Sequence, residues 1–148
     1  MKDSDRSPEF LEPVTWSPRS TKPRVLVENP DRAELLAHAD ILRDAGYDVA
    51  ICTGPDTGRG RKACGCPLLE GERCALVDGS DVVVSTSSLN GSDDILAALQ
   101  AQGSLPVVFE VSPPDLDRYR EAASAATLLP QPVTAKSLLD AVSDATTD

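Results

Sequence analysis

The feature that most constrains the fold is a repeated alternation of short apolar runs with segments of helical periodicity. The runs are predicted strands, and the segments after them are predicted helices. Because the runs are apolar on consecutive residues, each strand is predicted to be buried on both faces, which is typical of a parallel sheet. With right-handed crossovers, the chain is predicted to form a doubly wound five-stranded α/β sandwich. The predicted strands are 25–27, 47–52, 81–84, 105–109 and 127–129, and the predicted helices are 31–45, 68–77, 93–102, 115–125 and 134–142.

The first and last helices carry the clearest local signals. Leu35, Leu36, Ala39 and Leu42 recur on one face of the first helix, and Gly46 is predicted to end it. Thr134 is predicted to cap the last helix. The chain's one histidine, His38, is predicted at the edge of the apolar face and in contact with solvent. No serine or cysteine can be tied to it from the sequence, so a catalytic triad has little support.

Length and charge exclude several classes of protein. The chain has 148 residues, so one domain is expected. Its net charge is −10, so direct binding to DNA is not expected. No run of 18 apolar residues could span a membrane, and the first residues lack the apolar stretch of a secretory signal. A cytoplasmic location is therefore expected. Residues 1–22 are predicted to be a proline-containing tail and residues 23–148 the domain. The predicted docking residues of the tail are Phe10, Leu11, Val14 and Trp16.

Polar residues follow the predicted strands at the end where this class of sheet binds ligands. In a doubly wound sheet, ligands lie outside the carboxyl ends of the strands. A candidate site is therefore expected where those ends meet. The residues at the five ends are Glu28 and Asn29, Thr53 and Gly54, Ser85–Ser88, Glu110 and Val111, and Pro130 and Gln131.

The order of these pieces resembles the receiver domain of two-component response regulators, a CheY-like, flavodoxin-like fold. The pieces are RVLVEN, LRDAGYDVAICTG, SDVVVSTSSLNG, LPVVFEVS and LLPQPVTAKSLLDAV. The resemblance implies a signalling module that is not an enzyme. In the family, an Asp at the end of the third strand accepts a phosphoryl group, acidic residues hold Mg²⁺, and a Lys neutralises the phosphoryl oxygens.

This sequence departs from the family at each of those positions. Thr86 stands where the resemblance places the nucleophilic Asp, and a hydroxyl cannot form an acyl phosphate. Glu28 and Asn29 supply one charge where two are expected, and Gln131 replaces the Lys before Pro132. The family's hydroxyl position falls near Val111 or Ser112.

The resemblance therefore implies a pseudo-receiver that cannot be phosphorylated and that acts by binding a protein partner or a small ligand. It also implies a cis bond between Gln131 and Pro132 and, as an expectation, a homodimer through the fourth and fifth helices, with Tyr119, Ala122 and Leu139 in contact. Ser85–Ser88 are interpreted as a polar loop that caps the next helix, with contact to a ligand as the alternative, and Glu28 is interpreted as a solvated carboxylate at a strand end.

A cysteine-containing loop after the second strand is the feature that a receiver does not need. Residues 54–67 are predicted to be an insertion, and its basic residues Arg59, Arg61 and Lys62 could meet an anionic partner. Pro67 suits the first position of a helix, so Cys66 is predicted near the N-cap, where the helix dipole and the basic residues would lower the pKa of its thiol.

Three interpretations of the cysteines stay open. They are reduced thiols without a dedicated role, a redox pair, or a site for Zn²⁺ or an iron–sulfur cluster. The spacing does not match paired C-x₂-C zinc motifs, so no cofactor is expected by default. A thiol-based sensor or metal module is the alternative function. The four residues concerned are Cys52, Cys64, Cys66 and Cys74, of which Cys74 is predicted to lie half buried on the second helix.

Overall fold

The protein forms one parallel sheet with helices on both faces, in a computed structural model that describes residues 16–52, 74–86, 92–101, 105–122 and 126–147. All strand pairs are parallel, and the order across the sheet is β2-β1-β3-β4-β5. The predicted fold is confirmed. The strands are β1 Arg24–Glu28, β2 Asp48–Cys52, β3 Val82–Thr86, β4 Val107–Val111 and β5 Thr127–Pro130.

The helices occupy the predicted crossovers, with shifted ends. β3 and β4 each extend two residues beyond their predicted ends, and α5 extends past residue 142. Residues 68–73 of the predicted second helix lie outside the described residues. The helices are α1 Arg32–Asp44, α2 Ala75–Asp78, α3 Ser92–Gln100, α4 Leu116–Ala122 and α5 Ala135–Thr147, and a 3₁₀ turn, Pro113–Asp115, precedes α4. No helix in the described part of the chain is long and apolar enough to cross a membrane.

Two apolar clusters, one on each face of the sheet, explain the unbroken apolar runs. Every residue of β3 and β4 is buried, so neighbouring residues of one strand contribute to opposite clusters. One cluster contains α1 and α5, with Val25, Leu35, Val84, Val108, Leu138 and Val142 among its members. The other contains α2, α3 and α4, with Leu26, Leu76, Val83, Leu96, Phe109 and Tyr119 among its members.

Tyr119 belongs to this second cluster and not to a surface. It is 2% exposed, and its ring meets that of Phe109 edge-on, with 4.9 Å between centroids. The prediction that Tyr119 offers apolar contact to a second chain is therefore wrong. The reason is that the ring gains more by packing on Phe109 than it would on the surface.

Local signals fix both ends of α1 and the start of α5. Asp31 is the N-cap of α1 and accepts a hydrogen bond from the backbone N–H of Glu34. Gly46, with φ of 101°, follows the end of α1, as predicted. Thr134 caps α5, also as predicted: its Oγ accepts from the Ser137 N–H at 3.0 Å, and the Ser137 hydroxyl accepts from the Thr134 N–H.

Residues 16–22 pack against the amino ends of the strands. The Trp16 indole donates a hydrogen bond of 2.8 Å to the Leu76 carbonyl, and the Arg24 guanidinium lies 5.2 Å from the centre of its ring. Arg19 forms an ion pair of 3.1 Å with Asp81. This part of the predicted tail is thus attached to the sheet, while the domain boundary at residue 22 stays a prediction.

Candidate functional site

The sheet brings the predicted site residues to one edge. Glu28 pairs in register with Ser85, and Val111 pairs with Pro130. The backbone N–H of Gln131 donates to the Val111 carbonyl at 2.9 Å, which holds the end of β5 beside β4. Parallel strands end together, so Glu28, Thr86 and Gln131 lie at the carboxyl edge where this fold class binds ligands.

Glu28 is a half-buried carboxylate at this edge, held by the protein rather than fully solvated as predicted. Its Oε1 accepts a hydrogen bond of 2.7 Å from the Ser85 hydroxyl and a longer one, of 3.4 Å, from the Thr86 N–H. Burial raises the pKa of Glu28 against the opposing effect of these donors, and the nearby Glu110 adds to the rise. One of its two oxygens is therefore already committed to the protein.

Asn29 is occupied by the turn into α1. Its side chain accepts from the Asp31 N–H and donates to Glu34 Oε1, both at 2.8 Å, and its own N–H donates to the Cys52 carbonyl. Only 1% of Asn29 is exposed. Its amide serves to build the start of α1 and is almost fully shielded from solvent, so it is poorly placed to bind a cation.

Thr86 lies inside β3 with 5% of its surface exposed. The prediction of a polar capping loop is wrong for Ser85 and Thr86, since the strand continues through both. Ser87 and Ser88 lie outside the described residues. The Thr86 hydroxyl has no hydrogen-bond partner among the residues that the structure describes.

Val111 and Gln131 complete the predicted set. Val111 is fully buried in the cluster of α3 and α4, and the next residue, Ser112, donates its hydroxyl to Asp115 at 3.0 Å. The hydroxyl here thus serves the 3₁₀ turn. The peptide bond between Gln131 and Pro132 is cis, as predicted.

Sequence reasoning named Glu110 only as a strand-end residue and His38 only as a solvated one, and it missed that the two side chains meet. Glu110 is 0% exposed on β4, directly beside Thr86 in the register of the sheet. His38 is 5% exposed on α1, and its Nδ1 lies 3.1 Å from Glu110 Oε2. The prediction that His38 contacts solvent is wrong, because its place between Leu35 and Leu42 turns it toward the core. The available signal was Glu110 itself, a charge within an apolar run.

The structure describes only the two residues that flank the cysteine loop, Cys52 and Cys74. Cys52 ends β2, and both it and Cys74 are partly buried against the cluster that contains Leu76. Cys74 is the N-cap of α2, not a residue within the helix as predicted. Five of the predicted site residues lie outside the described ranges: Cys64, Cys66, Arg59, Arg61 and Lys62. In the described ranges, no three His, Cys, Asp or Glu side chains are grouped to hold a metal ion.

Comparison with known proteins gives structural likeness without sequence likeness. No family model matches the chain, and no curated protein matches it. A response regulator receiver domain protein from Clostridium thermocellum is similar in structure, with a TM-score of 0.65 and 22% identity, over 84% of this chain and 94% of that one.

Two further solved structures give the same result. A receiver protein from Burkholderia phymatum has a TM-score of 0.61 and 22% identity, over 84% of this chain and 95% of that one. A CheY-like receiver domain protein from Methanospirillum hungatei has a TM-score of 0.60 and 18% identity, over 84% and 93%. The chain therefore has the CheY-like receiver fold.

Proposed function

We propose that the chain is a signalling module of the receiver fold that is not switched by phosphorylation. It acts by binding a protein partner or a small ligand, and it is not an enzyme. The observation that carries this proposal is Thr86 at the carboxyl end of β3, buried and part of the strand. A hydroxyl at this position cannot form the acyl phosphate that an Asp forms.

The surroundings of Thr86 support the same conclusion. Mg²⁺ in phosphoryl-transfer sites is bound by carboxylates together with phosphate oxygens. Here Glu28 is the one acidic member of the predicted pair, it is tied to Ser85, and the Asn29 amide is bonded to Asp31 and Glu34. Gln131 brings no positive charge for phosphoryl oxygens. We therefore expect Mg²⁺ to bind weakly, with no phosphoryl acceptor beside it.

Intact mass after incubation with acetyl phosphate and Mg²⁺ tests the proposal. We expect no gain in mass, under conditions in which a receiver domain with an Asp at this position gains one phosphoryl group. A gain of one phosphoryl group on this chain would contradict the proposal. Thr86→Val is the matched variant, since persistence of any gain in that variant would place the phosphoryl group elsewhere.

The partner is proposed to be a protein, met in the cytoplasm, with no direct contact to DNA. A homodimer through α4 and α5 stays part of the proposal, without Tyr119, which is used inside the domain. Leu139 is partly buried against the cluster of α1 and α5 and offers only part of its side chain to a second copy. Light scattering decides this: twice the chain mass supports the dimer, and one chain mass at high micromolar concentration contradicts it.

A thiol-based sensor is the second candidate. Cys52 and Cys74 stand at the two ends of residues 53–73, both against one apolar cluster, and Cys64 and Cys66 fall between them. A disulfide or a bound Zn²⁺ or iron–sulfur cluster among these residues would restrain that segment, and Arg59, Arg61 and Lys62 would supply its anion contact. Metal analysis and peptide mapping after a brief, sub-stoichiometric alkylation test it. Cys66 labelling first, or a bound metal, supports the sensor; equal labelling without metal removes it.

A further inference from the structure

A buried pair of ionisable side chains joins α1 to the centre of the sheet. Glu110 is 0% exposed, and the side chain of His38 is 7% exposed, with 3.1 Å between Nδ1 and Oε2. Buried carboxylates are stable only when they are neutralised or paired, and His38 is the group within reach of Glu110 that can pair with it.

Glu110 has no other route to compensation among the described residues. Neither of its oxygens accepts an aligned hydrogen bond, and even the contact with His38 lies off the direction of the ring N–H. At 3.1 Å the two atoms lie within hydrogen-bond distance although they are poorly aligned, and the attraction between the side chains is strongest when the imidazole carries its second proton. The Thr86 hydroxyl, beside Glu110 in register, is similarly without a partner in the described ranges.

The charges around the pair are few. Glu34 lies on the same helix as His38 and Glu28 lies on β1, and both are acidic. α5 and β5 contribute apolar side chains to the same face of the sheet. These are Leu138, Ala141, Val142 and Leu129. The Glu110 carboxylate raises the pKa of His38, burial lowers it, and Glu34 adds a smaller rise, so that the net direction is upward.

We propose that His38 and Glu110 form a proton-binding site that fastens α1 to the sheet when the proton is bound and loosens it when the proton leaves to solvent. α1 is also tied to the carboxyl edge, because Glu34 accepts from the Asn29 amide. Release of the proton leaves the Glu110 charge buried without a counter-charge, and separation of α1 from β4 relieves it. The ligand of the site is thus a proton. Its release is expected to alter the contact of α1 with Asn29 and the charge near Glu28. The inference concerns side chains that the proposed function does not use.

Nuclear magnetic resonance titration of the ring protons tests the pairing directly, because His38 is the one histidine in the chain. In the folded protein we expect a titration midpoint above that of the same chain unfolded in urea. In Glu110→Gln we expect a midpoint below the unfolded value, since burial remains and the carboxylate is gone. Asp40→Asn, an exposed change on the same helix, is the matched control and should leave the midpoint nearly unchanged.

Two results of the titration would overturn the inference. A midpoint at or below the unfolded value in the natural chain would overturn the inference, even if Glu110→Gln fails to fold. An unchanged midpoint in a folded Glu110→Gln variant would also overturn it.

Amide hydrogen exchange gives the second readout, for the helix rather than for the ring. After correction for intrinsic rates, we expect protection in α1 to fall as the pH rises through the His38 midpoint, and protection in α5 to fall less. In His38→Gln the pH-dependent loss in α1 should disappear. Equal behaviour of α1 and α5 in the natural chain would show that the proton does not fasten α1, and would overturn the proposed effect.

Discussion

The two ends of the sheet treat charge in opposite ways. At the amino end, Asp81 accepts a hydrogen bond of 2.8 Å from the Arg24 N–H and pairs with Arg19, in contact with water. At the carboxyl end, Glu110 is fully buried, and its one counter-charge within the described part of the chain is the titrating side chain of His38. A carboxylate is thus paired with an arginine and a backbone N–H at one end of the sheet. At the other end, its pairing depends on the proton of a histidine.

The difference follows from what surrounds each carboxylate. Burial works against the charge of Asp81, but the Arg24 N–H and the Arg19 guanidinium outweigh it and hold the pKa of Asp81 below its usual value. Stability from Asp81 is therefore present above about pH 4 and is lost only as the pH falls further. For His38 the folded pKa is raised, so its stability is fully present below about pH 6.5 and is lost as the pH rises through the folded value.

The largest expected effect comes from breaking the buried pair. His38→Leu removes the partner of Glu110, whose side chain is then buried unpaired, and we expect a loss of about 3–5 kcal/mol in the free energy of unfolding at pH 6. Urea denaturation followed by circular dichroism measures it. Asp40→Asn should stay within about 0.5 kcal/mol of the natural chain. A loss below about 1 kcal/mol in His38→Leu would contradict the pair as a strong stabilising contact.

Removing the aromatic anchor at the amino end should cost less and should not depend on pH. Trp16→Ala loses partly buried packing on Leu76 and the hydrogen bond to its carbonyl, together about 2 kcal/mol.

Gly79→Ala tests the same contact, because a Cβ at Gly79 would fall 2.5 Å from Trp16 Cδ1. We expect Gly79→Ala to destabilise the natural chain but to be nearly neutral in Trp16→Ala. Equal costs in both backgrounds would show that the indole is not held there.

The smallest expected effect is at Glu28, and its sign is diagnostic. The folded pKa of Glu28 is raised, so ionisation opposes folding once the pH rises above its unfolded value. Glu28→Gln should therefore stabilise the protein by about 0.5 kcal/mol at pH 7 and have little effect at pH 4. Thermal unfolding at both values checks this. Destabilisation at pH 7 would mean that the bonds from Ser85 and Thr86 favour the ionised form more than burial opposes it.

The fold could be predicted because its signals are local and repeated. Unbroken apolar runs such as that of β3 require burial on both faces, and Asp31, Gly46 and Thr134 act on the helix ends next to them. The cis bond before Pro132 followed from the resemblance. The strand ends were less certain, because Ser85 and Thr86 are polar yet buried inside β3, and composition alone favoured a loop there.

The site could be predicted only in part, because its character depends on contacts between distant residues. Glu28 and Thr86 were placed at the correct edge by strand order, but only the folded register places Glu110 beside Thr86 and within reach of His38. Likewise, nothing near Asn29 in the sequence shows that its amide is fully bonded within the turn, or that Tyr119 turns inward onto Phe109.

A double-mutant cycle across pH tests the contrast between the two ends most directly. The coupling free energy between His38 and Glu110, from His38→Gln, Glu110→Gln and the double variant, is measured at pH 5.5 and pH 9.5, beside the same cycle for Arg19→Gln and Asp81→Asn. We expect the buried pair to couple by about 3 kcal/mol at the lower pH and far less at the higher. The exposed pair should couple by less than about 1 kcal/mol at both. Coupling of the buried pair that does not change with pH would contradict the account.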